Sequence, residues 1–172
     1  MANTFTLIAK TTITEGATSV VFSNISQAYT DLVVKTSIRD NNVSPWGNSW
    51  IQLNANTTDY DYEIVRGLGS DGISASYSAA PNQALYTSFS SAAQATAGIY
   101  GSSETYIPNY TVATPKAVFI NTVSENNSTN NASISILRDY ASASAIVTSL
   151  TFLPSASFVG GSTIYLYGIL KS

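Results

Sequence analysis

The stretch that decides the fold is GGSTIYLYGILKS, residues 160–172. Two glycines turn the chain into a run that alternates at period two. In an extended strand Ile164, Leu166 and Gly168 share one face, and Tyr165, Tyr167 and Ile169 the other. Both faces are apolar or aromatic. That pattern predicts a strand covered on both sides, within a sandwich or against a neighbouring subunit.

The same period recurs upstream. In TDLVVKTSIRD (30–40), Leu32, Val34, Thr36 and Ile38 share one face, and Val33, Lys35, Ser37 and Arg39 the other. Further strands are predicted over 5–14, 18–25, 48–56, 59–69, 104–111, 116–126, 132–140 and 145–155, with Pro108 at an edge or a strand end. Residues 70–102 are rich in Ser, Ala and Gly. They read as a long loop with a short strand near Ala84–Phe89 and one helical turn near 89–96. Many short strands joined by polar turns predict an all-β, antiparallel β-sandwich of jelly-roll type, with an immunoglobulin-like sandwich as the alternative. The 172 residues form one domain, 1–172, from which the 70–102 region projects as a contact surface.

Composition narrows the chemistry. Charged residues make up 10% of the chain, against ~25% in an ordinary globular protein. A polar, nearly neutral surface suits a protein held in an assembly. Histidine and cysteine are both absent, which removes the commonest general base, the commonest zinc ligand and all disulfide chemistry. The seven Lys and Arg residues are scattered and the net charge is −3, so no basic footprint for nucleic acid exists. The N-terminus has no signal-peptide pattern and no run is long enough for a transmembrane helix, so no membrane partner is expected.

The acidic cluster DYDYE (59–63) places Asp59, Asp61 and Glu63 on one face of a strand and Tyr60 and Tyr62 on the other. Three carboxylates could hold a hard cation, but calcium sites draw ligands from turns; a solvated strand face with tyrosines packed inward is the better reading. A glycosidase pair such as Asp61 with Asp139 is not selected by any spacing. GLGSDG (67–72) lacks the lysine and helix of a phosphate loop. The seven N-x-S/T matches, Asn24, Asn42, Asn56, Asn109 and Asn131 among them, follow from composition. No catalytic, metal or cofactor site is expected. Trp46, Trp50, Tyr77, Tyr86 and Tyr100 remain as loop aromatics able to form a carbohydrate platform or an interface hot spot.

Taken together, TFTLIAKTTIT, SVVFSNISQAYTDLVVKTSIRDN, YIPNYT, KAVFINTVSENN and IVTSLTFLPSASFVGGSTIYLYGI resemble small virion proteins of tailed bacteriophages. The resemblance covers nearly the whole chain outside 70–102, and GSTIYLYGI is its most recognisable element. It implies a structural protein without catalytic residues, of the capsid decoration (cement) type. Such a protein is synthesised in the host cytoplasm and sits as a homotrimer on the exterior of the virion, bound to the major capsid protein. Ala2, Asn3, Thr4 and Phe5, with the aromatics above, are the expected interface. The competing expectation is a receptor- or glycan-binding module on a tail or head fibre. Strand-like sequence already at Phe5 leaves no room for the fibre's anchor segment and favours decoration.

Overall fold

The computed structural model describes residues 4–68, 72–125, 127, 133–141 and 144–170, with the backbone alone for 68, 77–82, 88–89 and 133–141. Twelve strands are found among them: β1 Phe5–Thr12, β2 Val20–Phe22, β3 Asp31–Ile38, β4 Trp46–Leu53, β5 Tyr60–Leu68, β6 Ile73–Asn82, β7 Leu85–Ser91, β8 Gly101–Ile107, β9 Lys116–Ser124, β10 Ser133–Ala141, β11 Leu150–Pro154 and β12 Thr163–Ile169. No helix occurs among the described residues.

The strands form an eight-stranded sheet in the order β1-β12-β3-β8-β9-β10-β5-β6 and a four-stranded sheet in the order β2-β11-β4-β7. The first four strands of the larger sheet and the whole smaller sheet make a complete jelly roll. Along the chain its strands β1, β2, β3, β4, β7, β8, β11 and β12 switch sheet at every step except β4 to β7, which pair with each other. That order excludes the immunoglobulin alternative. Two hairpins are inserted, β5–β6 between β4 and β7 and β9–β10 between β8 and β11; both extend the larger sheet beyond β8.

Alternation places the core. On β9, Lys116, Val118, Ile120, Thr122 and Ser124 are buried while Ala117, Phe119, Asn121 and Val123 are exposed. Ile164 and Leu166 of β12 pack with Leu32 and Val34 of β3 against Ile51, Leu53, Leu85, Leu150 and Phe152 from the smaller sheet. Hence the inward face of GSTIYLYGI is core, and the outward face, Tyr165, Tyr167 and Ile169, is half-buried. Gly161 (φ +88) turns the chain into this strand. Gly168 has another cause: a Cβ there would stand 2.3 Å from the ring of Tyr29.

One end of the sandwich is tied by two adjacent charges. Arg39 is 7% exposed and Asp40 is fully buried. The Arg39 guanidinium donates to the carbonyls of Thr96 and Ile99, both at 2.8 Å, and of Ala95 at 3.0 Å. Asp40 accepts from Ser155 N at 2.7 Å, Ser155 Oγ at 2.9 Å and Asn42 N at 2.8 Å.

The structure corrects the reading of 70–102. The segment contains β6, β7 and the start of β8 and does not project as a loop; β7 is the short strand expected near Ala84–Phe89. Its Ser and Ala residues give little contrast between faces; Ile73 to Ser76, on an outer strand of the sheet, are all exposed. The helical turn expected near 89–96 is absent, since 92–99 is a set of turns organised by Arg39. Gly168→Ala should cost about 2 kcal/mol, because a methyl group forced against a packed ring strains the core. A urea-unfolding series checks this; an unchanged midpoint would show that Tyr29 can move away freely.

Candidate functional site

Two surfaces gather side chains that the sequence scatters. The first is the outward face of the jelly-roll part of the larger sheet. Residues directly opposite one another on neighbouring strands share a face. The register sets Leu7 against Tyr167, Tyr167 against Val33, Val33 against Tyr106, and Tyr106 against Phe119. Phe5 stacks on Tyr167 at 4.7 Å between centroids, and Tyr165 stacks on Tyr167 at 6.4 Å. Phe5 is 45% exposed and Phe119 50%, whereas Val33, flanked by tyrosines, is 4% exposed. The Tyr106 hydroxyl donates to Asp31 Oδ2 at 2.8 Å, which fixes its ring on this face. Lys35 and Glu104 form an exposed ion pair of 2.9 Å beside the aromatic row.

The second surface is a groove of about 650 Å³. The smaller sheet ends at β7, and the β5–β6 hairpin continues past it. Trp50 and Tyr86 come from the smaller sheet, and Tyr62 and Arg66 from the facing side of β5. The Tyr86 ring lies 5.3 Å from that of Tyr62 and 6.4 Å from that of Trp50. Asn48 and Gln52 line the same wall. The Tyr86 hydroxyl donates to Asn48 Oδ1 at 3.0 Å, and Gln52 Nε2 donates to the Gln83 carbonyl at 3.1 Å.

Of the residues expected at an interface, Phe5 lies on the outer aromatic face, and Trp50 and Tyr86 meet in the groove. Trp46 is half-buried on the same side of β4 as Trp50. Thr4 is exposed and its carbonyl accepts from Leu170 N. Tyr100 is turned to its own chain: its hydroxyl donates to the Gly160 carbonyl at 2.7 Å, so it is an internal clamp. Ala2, Asn3 and the Tyr77 side chain lie outside the described residues. Leu7, Tyr106, Phe119 and Tyr62 carry these surfaces without having been singled out. The alternation in KAVFINTVSEN, apolar on both faces, was the available signal for Phe119.

Residues 60–63 of the acidic cluster are strand, but Asp59, expected on the same strand face, stands in the turn before β5 with φ +68. Tyr60 is buried, its hydroxyl accepting from Leu53 N at 3.0 Å, while Asp59 and Glu63 are exposed. Register sets Asp61 against Tyr140 and Asp139 against Tyr62, so the two aspartates are not a cross-strand pair. Among the described residues no three His, Cys, Asp or Glu side chains gather where a metal ion could bind.

No protein-family model matches the chain, and no curated protein matches it. Solved structures with a faint likeness include botulinum neurotoxin type C, described as interacting with two ganglioside molecules. It is 10% identical over 90% of this chain and 37% of that one, with a TM-score of 0.25. Infectious bursal disease virus proteins are similar at the same level. The Gx strain is 14% identical over 96% of this chain and 38% of that one, TM-score 0.18. The VP2 subviral particle is 14% identical over 95% and 39%, TM-score 0.17. The chain spans well under half the length of these neighbours, and at such scores the likeness carries no argument.

Several tyrosines give the fold an alkaline limit. The bond to Asp31, then burial, raises the Tyr106 pKa above its usual 10.0. Burial raises Tyr60 and Tyr110 likewise. A raised phenol contributes stability that is complete below pH 10 and lost as pH climbs through the folded value. Lys116 acts the other way. It is 2% exposed and donates to the carbonyls of Val112 and Thr114. Burial lowers its pKa below 10.5, so its cost is present at neutral pH and is relieved as pH rises toward 10.5. Urea midpoints should therefore fall above pH 10, and Tyr106→Phe should make that fall shallower. Identical alkaline slopes for the two proteins would remove Tyr106 from the account.

Proposed function

We propose that this chain is a structural protein of a tailed-phage virion, a cement subunit that binds the exterior of the major capsid shell as a homotrimer and has no catalytic role. The observation that carries this reading is the outer face, where Phe5, Tyr165 and Tyr167 stack on one side of the nearly buried Val33 and Tyr106 lies opposite Phe119 on the other. Aromatic residues are enriched at interface cores, and a contiguous exposed patch of them marks a contact surface. The charges on this face are few: Lys10 and Lys35 flank Tyr165, Lys35 is paired with Glu104, and Asp31 already accepts from Tyr106. Jelly rolls serve both capsid and lectin roles, so the fold alone does not choose between them. The sequence resemblance and the sparse charge favour the capsid. Closed symmetry in a trimer would cover part of the same face.

The test is the copy number of the protein in purified virions. A gel band stoichiometric with the major capsid protein is expected, and one stoichiometric with the tail proteins contradicts the cement reading. Tyr165→Ser combined with Tyr167→Ser should lower the thermal midpoint, since the stack with Phe5 is lost, and in protein shown to be folded should weaken capsid retention at least about tenfold. Full retention by the double variant would remove this face from the interface.

A further inference from the structure

The groove between β7 and the β5–β6 hairpin lies away from the outer aromatic face, and its chemistry is different. Its concave shape and volume of about 650 Å³ fall within the range of small-molecule sites. We propose that it is a saccharide-binding site, taking a short stretch of a hexose-based glycan chain.

Three features point to a sugar. Trp50, Tyr62 and Tyr86 line one cleft and form a chain of ring contacts, Trp50 to Tyr86 and Tyr86 to Tyr62. An aromatic face is negative at its centre and attracts the weakly positive C–H groups that cover one side of a pyranose ring. The polar groups beside the rings are mainly amides, Asn48, Gln52 and Gln83, with Arg66 at the β5 side. An amide both donates and accepts, as a sugar hydroxyl does, so the two can pair in either sense. Among the described residues no carboxylate lines the groove, and the mixture of polar groups and ring faces is unlike the uniformly apolar lining that a lipid tail requires.

The wall is also held in place before any ligand arrives. Tyr86 donates to Asn48, whose backbone N–H donates to Ser155 Oγ at 3.2 Å, and Ser155 Oγ donates to the buried Asp40 carboxylate at 2.9 Å. A ring positioned by such a relay loses little freedom on binding. The inference does not depend on where in a particle the chain sits, so it stands or falls apart from the cement reading.

The protein has two tryptophans, and only Trp50 lines the groove. Two indole N–H signals in a ¹⁵N correlation spectrum therefore report directly. Cellohexaose, laminarihexaose, mannohexaose, chitohexaose and hexagalacturonate are titrated separately to about 10 mM, enough to detect a Kd near 1 mM. The expected result is a saturable shift of the Trp50 indole with at least one of them while the Trp46 indole stays in place. Trp50→Ala should then weaken binding at least about tenfold, measured by calorimetry on protein shown to be folded. No saturable shift with any of the five, or equal shifts of both indoles, would overturn the proposal. The spectroscopic readout needs no substitution, so a poorly folding variant leaves the test intact.

Discussion

Arg39 and Asp40 close one end of the sandwich, and their charges are satisfied through the loops around them. Burying an ion is costly unless hydrogen bonds replace its water, and each satisfied bond to a charged group contributes more than a neutral one. Arg39 meets this demand by gathering the carbonyls of residues 95–99 into one cluster. Asp40 meets it with the N–H groups of Asn42 and Ser155 and the Ser155 hydroxyl. Their backbones bond to Ser91 at the end of β7 and to Val159 in the loop before β12. Two consecutive residues thus link β3, β7 and the turns leading to β8 and β12. The jelly-roll crossings at this end could not stay closed if either charge were left bare. The Asp40 side of the arrangement reaches the groove through Ser155 and Asn48.

Strand faces were legible wherever large apolar residues alternate with small or polar ones. The assignments for 30–40, 60–63 and 162–169 hold residue by residue in the core: Leu32, Val34, Ile38, Tyr60, Ile164 and Leu166 are buried. The sandwich class followed from them. Contrast failed over most of 70–102, where Ser and Ala look alike on either face: β6 passed for loop, and only the strand near Ala84–Phe89, now β7, was legible. The functional surfaces were less legible, because each depends on pairing between distant segments. Phe5 meets Tyr167 only because the first and last strands are neighbours. Tyr62 meets Tyr86 only because the inserted β5–β6 hairpin extends the larger sheet past β7. Period-two alternation says which way a side chain points; it does not say which strand lies beside it. Tyr100 shows the converse error, an aromatic in a polar segment that serves its own backbone.

The two insertions divide the molecule by role. The jelly roll proper presents the outer aromatic row, made from β1, β12, β3 and β8 and continued by Phe119 on β9. The β5–β6 extension supplies one wall of the groove and contributes nothing to the row of five rings. The contact surface thus lies on the outer face of the larger sheet, and the recess lies between the smaller sheet and the β5–β6 extension of the larger one. The central claim is that the outer row is covered in an assembly. A cryo-EM map of the assembled particle at side-chain resolution tests it most directly. The account predicts Phe5, Tyr106, Phe119, Tyr165 and Tyr167 buried against capsid protein or a symmetry-related copy. A map in which this row faces solvent while another side of the molecule makes the contact would contradict it.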